Sequence, residues 1–310
     1  MKSGEVSGDK IRELAQQITL VENSGTGSTQ LLASMPTPSA HIVGITGPPG
    51  VGKSTSTSAL ITQLRSEGKS VAVLAVDPSS TFSKGALLGD RIRMQDHALD
   101  SGVFIRSLAS RGHLGGLTGT IYSVLKVISA AGFDLIIIET VGVGQSEIEI
   151  AKMADTSIVI AAPGAGDGIQ AAKAGILEIA DIFTVNKSDR PGADATVREL
   201  KGMLSMVSAA PSGSGWETPV IPTIATDGSG FVELCESISQ HYAYLLDQGL
   251  LEQKRIGRIR ESLLARTMND LALKAQEIES QQDVAVHCAA GELSEDQACD
   301  LIRNAIKAGS

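Results

Sequence analysis

The chain has 310 residues, 42% hydrophobic and only 3% aromatic, with a formal charge of −9 and a mean hydropathy of +0.11. That length holds one large α/β domain with helical additions or two smaller domains, with a core built from Ile, Val, Leu and Ala. The acidic balance argues against nucleic acid or anionic membranes as partners, and no apolar run reaches the ~20 residues that span a bilayer.

Residues 9–23 place Ile11, Leu14, Ala15, Ile18 and Val21 at helical spacing, which predicts an amphipathic helix. Ser24 to Ser39, rich in Ser, Thr, Gly and Pro, reads as a connector. Ile42 to Ile45 reads as a buried strand and Ser54 to Leu64 as a helix. Between them, Gly47-Pro48-Pro49-Gly50-Val51-Gly52-Lys53-Ser54-Thr55 fits the phosphate-loop pattern G-x-x-x-x-G-K-[ST] at every fixed position. Glycines let successive backbone N–H groups curl around a polyphosphate, and the following helix points its positive end at the same anion. In this pattern Lys53 reaches the β and γ phosphates and Ser54 offers its hydroxyl to Mg²⁺.

Ser70 to Val76 is a second apolar strand ending at Asp77-Pro78, where a carboxylate either caps a turn or serves Mg²⁺ and its water shell. Beside a phosphate loop the metal reading is favoured. Residues 81–97 read as a loop and a short polar helix. In it, Asp90, Arg91 and Arg93 are either a solvated face or a metal and phosphate set. Val103 to Leu108 is a short strand, followed by a glycine-rich turn around His113 and a helix over 118–131. Asp134 to Thr140 is a hydrophobic strand ending in Glu139. A carboxylate there occupies the position that works through Mg²⁺ in phosphate-loop enzymes, and Gly142 offers an amide to a γ-phosphate. Thr156 to Ala162 is a buried strand that leads to the glycine-rich loop 163–170 and a helix from about Ala171.

Ile182 to Val185 ends on Asn186-Lys187-Ser188-Asp189, the N-K-x-D pattern of guanine-binding proteins. One Asp carboxylate accepts hydrogen bonds from the guanine ring N–H and exocyclic amine, a donor pair adenine lacks. Pro219 to Ile224 makes a last strand, with Ala225-Thr226-Asp227-Gly228 as a base-contacting loop, and 229–247 suits a helix. From Leu250 the pattern is helical to the end, with one apolar face that packs against a partner or folds onto its own domain. Met1-Lys2-Ser3-Gly4-Glu5 lacks a secretory leader pattern. Cys235, Cys288 and Cys299 are odd in number and scattered, as in a reducing cytoplasm.

Taken together, GPPGVGKST, AVDPSS, LLGDRIRM, SRGHLGGLT, IIIETVGVGQSE, AGDGIQAAKAGILEIADI and VNKSD resemble the MeaB/ArgK family over nearly the whole chain. The resemblance implies a P-loop NTPase of the SIMIBI class: an α/β fold with a mostly parallel sheet and flanking helices. It divides the chain into an N-terminal helical extension (1–40), a GTPase domain (41–248) and a C-terminal helical dimerisation arm (249–310). It implies slow hydrolysis of GTP to GDP, faster with a partner bound, in the service of an adenosylcobalamin-dependent acyl-CoA mutase, methylmalonyl-CoA mutase above all. The family's metal and catalytic positions fall on Lys53, Ser54, Asp77, Asp90 and Glu139. Its nucleotide-responsive segments fall on 78–93, 140–149 and 163–176, with Lys173 a candidate for nucleotide contact. Two departures, Thr81-Phe82-Ser83-Lys84-Gly85 and Gly168, bear on the switch rather than on a catalytic position. The alternatives are a nickel-insertion GTPase, for which the five histidines and three cysteines show no clustering, a kinase of a transport system, and a nucleotide-gated binding module without catalysis.

Overall fold

The computed structural model describes residues 8–23, 27–77, 97–109, 116–140, 152–164, 177–208 and 215–308. Seven strands form one parallel sheet: β1 (His41–Thr46), β2 (Val71–Asp77), β3 (Val103–Ala109), β4 (Leu135–Thr140), β5 (Thr156–Ala161), β6 (Ile182–Val185) and β7 (Val220–Pro222). Their order is β3-β2-β4-β1-β5-β6-β7. A parallel sheet is covered on both faces, so its central strands must be apolar throughout. The Leu-Ile-Ile-Ile run of β4 meets that demand, and all six residues of the strand are buried.

The helices are α1 (Gly8–Glu22), α2 (Ser28–Ser34), α3 (Lys53–Ser66), α4 (Gly116–Ala130), α5 (Leu177–Ile179), α6 (Ala193–Ser208), α7 (Phe231–Asp247), α8 (Leu250–Gln281), α9 (Val284–Ala289) and α10 (Glu295–Ala308). On one face, α1 and α4 bury Leu14, Ile18, Ile121 and Leu125 against Ile42, Leu74, Ile136 and Ile138. On the other, α3 and α7 bury Leu60, Ile61, Phe231 and Ile238 against Val43, Val73, Ile137 and Ile158. Each such side chain contributes roughly 1.5–3 kcal/mol on burial. A smaller cluster seats α6 on Val159, Phe183 and Val185 through Leu200 and Val197.

The predicted strands and the helices 9–23, 54–64, 118–131 and 229–247 are all present. Two elements differ from the sequence reading. The connector Ser24–Ser39 contains α2, a two-turn helix whose Leu31 and Leu32, with the following Met35, pack on the first core. Tertiary burial supports a helix there that would be too short to stand alone. Helix α6 was not read from the sequence at all, although Val197, Leu200, Met203 and Leu204 lie at helical spacing.

The last helices pack on one another and, through α8, on α4 and α7. Gly249, at φ 65°, lets the chain turn from α7 into the 32-residue α8. Helix α8 crosses α4 at Gly119, where a Cβ would stand 2.6 Å from Arg266 Cγ. Helix α10 packs back on α8. At the other terminus, α1 is tied to β3 by the ion pair of Glu22 with Arg106. Among the described residues, no helix is long and apolar enough to cross a membrane.

Candidate functional site

Because every strand runs the same way, the loops that carry the motifs emerge on one edge of the sheet. Gly47 leaves β1 at φ 145°, and a Cβ there would lie 2.3 Å from the Ile160 carbonyl oxygen of β5. Gly52 has φ 97°, and a Cβ there would lie 2.5 Å from Asn186 Nδ2. Only glycine fits either place. Side chains engage four of the loop's carbonyls. Lys53 Nζ donates to Gly47 O at 2.6 Å and Pro48 O at 3.2 Å, Lys187 Nζ to Gly50 O at 2.6 Å, and Asn186 Nδ2 to Val51 O at 2.8 Å. With carbonyls so taken, the loop amides and the first turn of α3 make a cradle for an anion. Pro49 and Gly50 lie exposed at its crest, Val51 is buried beneath it, and Thr55 is exposed.

Glu139 is buried at the end of β4, with 1% of its surface exposed, and its Oε1 accepts a 2.7 Å hydrogen bond from Ser54 Oγ. Strand register explains the meeting. Glu139 sits opposite Ile45 of β1, two residues before the phosphate loop begins. On the other side Thr140 pairs with Val76 of β2, so the backbone of Asp77 falls one residue further along the same edge. Thr140 Oγ1 also lies 3.5 Å from Thr46 Oγ1. A hydroxyl beside a carboxylate is an oxygen donor set of the kind hard divalent cations take. The Asp77 side chain, Asp90, Gly142 and Lys173 lie outside the described residues, as do 78–93, 141–149 and 165–176 of the expected nucleotide-responsive segments.

Asn186, 2% exposed, ties two loops together: besides its bond to Val51 O, its Oδ1 accepts from the Ala225 N–H at 3.1 Å. The loop after β7 is closed by Ile224 N–H to Ser229 O at 3.0 Å and by Ser229 N–H to Asp227 Oδ1 at 2.8 Å. Lys187 adopts φ 58°, a left-handed conformation that is uncommon for a residue with a Cβ. It turns the chain so that Asp189 stands exposed beyond the strand end. The structure therefore brings Lys53, Ser54, Glu139, Asn186, Lys187 and Ala225 to one locus.

A second polar cluster, at the opposite edge of the sheet, was not read from the sequence. Asp155, fully buried just ahead of β5, is met by Arg258 Nη2 at 2.5 Å, Arg255 Nη2 at 3.2 Å and the Ile42 N–H at 3.0 Å. Asp181, just ahead of β6, is met by His241 Nε2 at 3.2 Å, Lys254 Nζ at 3.2 Å and the Ser157 N–H at 2.8 Å. Burial alone would raise both carboxyl groups. For Asp155 the Arg258 and Arg255 charges outweigh it, and for Asp181 the His241 hydrogen bond and the Lys254 charge do, so both are held below the ordinary carboxylate value. The available sequence signal was an Asp directly preceding each strand and three cations, the adjacent Lys254 and Arg255 and, one turn later, Arg258. Arg255 also donates to the carbonyls of Pro38, Ser39 and Ala40, fastening the N-terminal extension to the root of α8.

Comparison with known proteins finds relatives over most of the chain. A Pyrococcus horikoshii protein named "putative GTPase" is 50% identical over 258 residues, 83% of this chain and 81% of its own. GTPase ArgK of Escherichia coli is 39% identical over 249 residues, 78% of this chain and 75% of its own. The mouse mitochondrial methylmalonic aciduria type A homolog is 33% identical over 322 residues, 95% of this chain and 76% of its own. A crystal structure described as LAO/AO transport system kinase superposes with a TM-score of 0.69 at 28% identity, covering 96% of this chain and 97% of that one. The protein is a GTP hydrolase with a P-loop fold that binds GTP and GDP. Since the profile of the methylmalonyl-CoA mutase-associated GTPases matches residues 14–280, the chain belongs to the MeaB family.

Proposed function

We propose that this GTPase is the chaperone of an adenosylcobalamin-dependent acyl-CoA mutase, methylmalonyl-CoA mutase first among them, and that GTP hydrolysis gates cofactor delivery and protects or reactivates the mutase. The observation that carries the reading is the extent of the family match, which includes the phosphate loop, the guanine loop and most of α8. The mouse relative's name points the same way.

In the chemical step, water attacks the γ-phosphorus of GTP and charge spreads over the transferring oxygens. Lys53 exchanges the Gly47 and Pro48 carbonyls for phosphate oxygens, bringing its ammonium to that charge, while loop amides hold the β-phosphate. Asp189 accepts from the guanine edge, and the Ala225 loop, held by Asn186, closes over the base. The Ser54 hydroxyl and Glu139 carboxylate suit Mg²⁺, with Asp77 and Asp90 as further ligands and Lys173 as a further nucleotide contact. When bound, the ion supplies charge neutralisation at the β and γ phosphates. Without an assigned general base or arginine finger, slow turnover in the absence of a partner is expected.

We assign 1–40, 41–248 and 249–310 as extension, GTPase domain and arm of a cytoplasmic homodimer. Leu264, Met268 and Leu271 of α8, at 68%, 63% and 42% exposure, follow the i, i+4, i+7 spacing of a helical seam. Met268→Glu then halves the mass measured by sedimentation.

The decisive experiment is GTP turnover with and without the cobalamin-dependent mutases of the same organism. Acceleration by about tenfold or more with one of them supports the chaperone reading, and an unchanged rate with all of them overturns it. A second reading, a kinase of a transport system, draws on the description of the superposed structure. It requires labelled γ-phosphate on a transport protein rather than in solution. A nickel-insertion role finds no support among the described residues, where no three His, Cys, Asp or Glu side chains cluster to hold a metal.

A further inference from the structure

Lys254 lies far from the phosphate loop, yet it connects the two strands that seat that loop. Its Nζ is 3.0 Å from the Asp155 carbonyl oxygen and 3.2 and 3.3 Å from the Asp181 carboxylate oxygens. It therefore bridges the residue before β5 to the residue before β6. Both strands end on the phosphate loop. β5 presents Ile160 O at the spot where a Cβ on Gly47 would be 2.3 Å away. β6 runs into Asn186 and Lys187, which hold Val51 O and Gly50 O. At ~3.3 Å per residue, the two ends of β5 are about 17 Å apart.

Protein interiors are close-packed and compress little, so a shift of one strand along its neighbour at one end appears at the other. β5 and β6 pair over only four positions, from Ile158↔Ile182 to Ala161↔Val185. Beyond that ladder, the Asp181 N–H donates to Ser157 O at 2.9 Å and the Ser157 N–H to Asp181 Oδ2 at 2.8 Å, and the ionic clasp of Lys254 adds to these bonds at the start of the strands. We propose that Lys254 is a positioning residue for nucleotide binding, holding β5 against β6 from the opposite edge of the sheet and thereby fixing the seat of Gly47, Gly50 and Val51. The proposal rests on the reading of the phosphate loop as the GTP site. Because Lys254 belongs to the first turns of α8, the arm and the nucleotide loop share one support. A load on the arm then alters nucleotide affinity.

The test is the dissociation constant for a fluorescent GDP, measured on the full chain for Lys254→Met, Lys254→Arg and, as control, Arg106→Gln. Arg106 pairs with Glu22 on the far side of the sheet and touches neither β5 nor β6. Lys254 is 37% exposed and Asp181 keeps its bonds to His241 and Ser157, so Lys254→Met retains the fold, checked by thermal melting. The expected result is GDP affinity weakened about three- to tenfold in Lys254→Met, restored in Lys254→Arg and unchanged in Arg106→Gln. The ratio of GDP to ADP affinity stays constant, because Asp189 is untouched. Equal affinity in wild type and Lys254→Met, or equal losses in Lys254→Met and Arg106→Gln, overturns the proposal.

A second measurement needs no variant. Trp216, the single tryptophan, donates to Asp181 O at 2.8 Å and lies 4.9 Å from the His241 ring. Saturating GDP changes its emission if the two edges are coupled, and unmoved emission overturns the coupling. A wild-type chain that binds no GDP defeats the GTP-site reading itself, and this proposal with it.

Discussion

Ser54 and Glu139, 85 residues apart in sequence, share a 2.7 Å hydrogen bond between the first turn of α3 and the buried end of β4. The bond joins the phosphate loop's helix to the strand whose carboxylate is expected to serve the metal. Glu139→Gln keeps an acceptor for Ser54 and removes the charge. GTP turnover is expected to fall about 10²–10³-fold, as for loss of a group that stabilises developing charge. The melting temperature should hold or rise, since a buried charge is removed. Phosphate release and thermal melts check both.

Asp189 stands exposed at the strand end, so the role in base choice proposed for it can be separated from folding. Asp189→Asn replaces an acceptor-only carboxylate with an amide that meets the guanine donors badly. Loss of charge-assisted hydrogen bonds predicts GDP affinity weakened about a hundredfold, with ADP affinity little changed. Titration of both nucleotides reads the ratio, and an unaltered ratio would remove Asp189 from the base site.

At the opposite edge, Arg258→Met leaves Asp155 buried with one guanidinium fewer. Stability should drop by less than the roughly 3–5 kcal/mol of a fully unpaired buried charge, because Arg255 and the Ile42 N–H still meet Asp155. Adding Asp155→Asn to that variant removes the stranded charge and should recover part of the loss. Urea unfolding of the two variants measures the difference.

The acid and alkaline limits of stability follow from two buried groups. Burial outweighs nearby Asp155 and pushes His41 from 6.5 down to about 4. The unfolded imidazole takes a proton near 6.5 and the folded one only near 4. Stability is therefore complete above 6.5 and declines as pH falls through that window, by up to about 3 kcal/mol. Asp155 and Asp181, held below their unfolded value, add further loss at lower pH. Burial pushes the Cys235 thiol from 9.0 up to about 12, so the unfolded chain ionises first and stability also declines above pH 9. Urea midpoints across pH 4–11 should show both limbs, and His41→Gln should flatten the acid one above pH 4.

Legibility differed between the two edges of the sheet. At the nucleotide edge, the glycine spacing of residues 47–52, Lys53 and Ser54 after it, Glu139 at a strand end and Asn186-Lys187-Ser188-Asp189 were all readable. Phosphate, metal and guanine chemistry demand particular residue types at short local spacings. The apolar runs of β1, β2, β4, β5 and β6 were readable for a related reason: a strand buried on both faces tolerates little else. Helix α2 carries no helical signal of its own, because its composition is that of a connector and its stability comes from burial of Leu31 and Leu32.

By itself, the sequence determined the apolar strands, the phosphate-loop pattern and the N-K-x-D segment, since those follow from local spacing and from periodicity, while the parallel order of the sheet was implied by the family resemblance. Only the tertiary structure decided that Ser54 meets Glu139, that Asn186 ties Val51 to Ala225, and that Lys254, Arg255 and Arg258 grip the starts of β5 and β6 rather than face solvent. Charges interleaved along a helix look alike on a solvated face and in a buried clasp. What separates them is which backbone ends the strand order brings beneath the helix, and that order is set by long-range packing of the sheet.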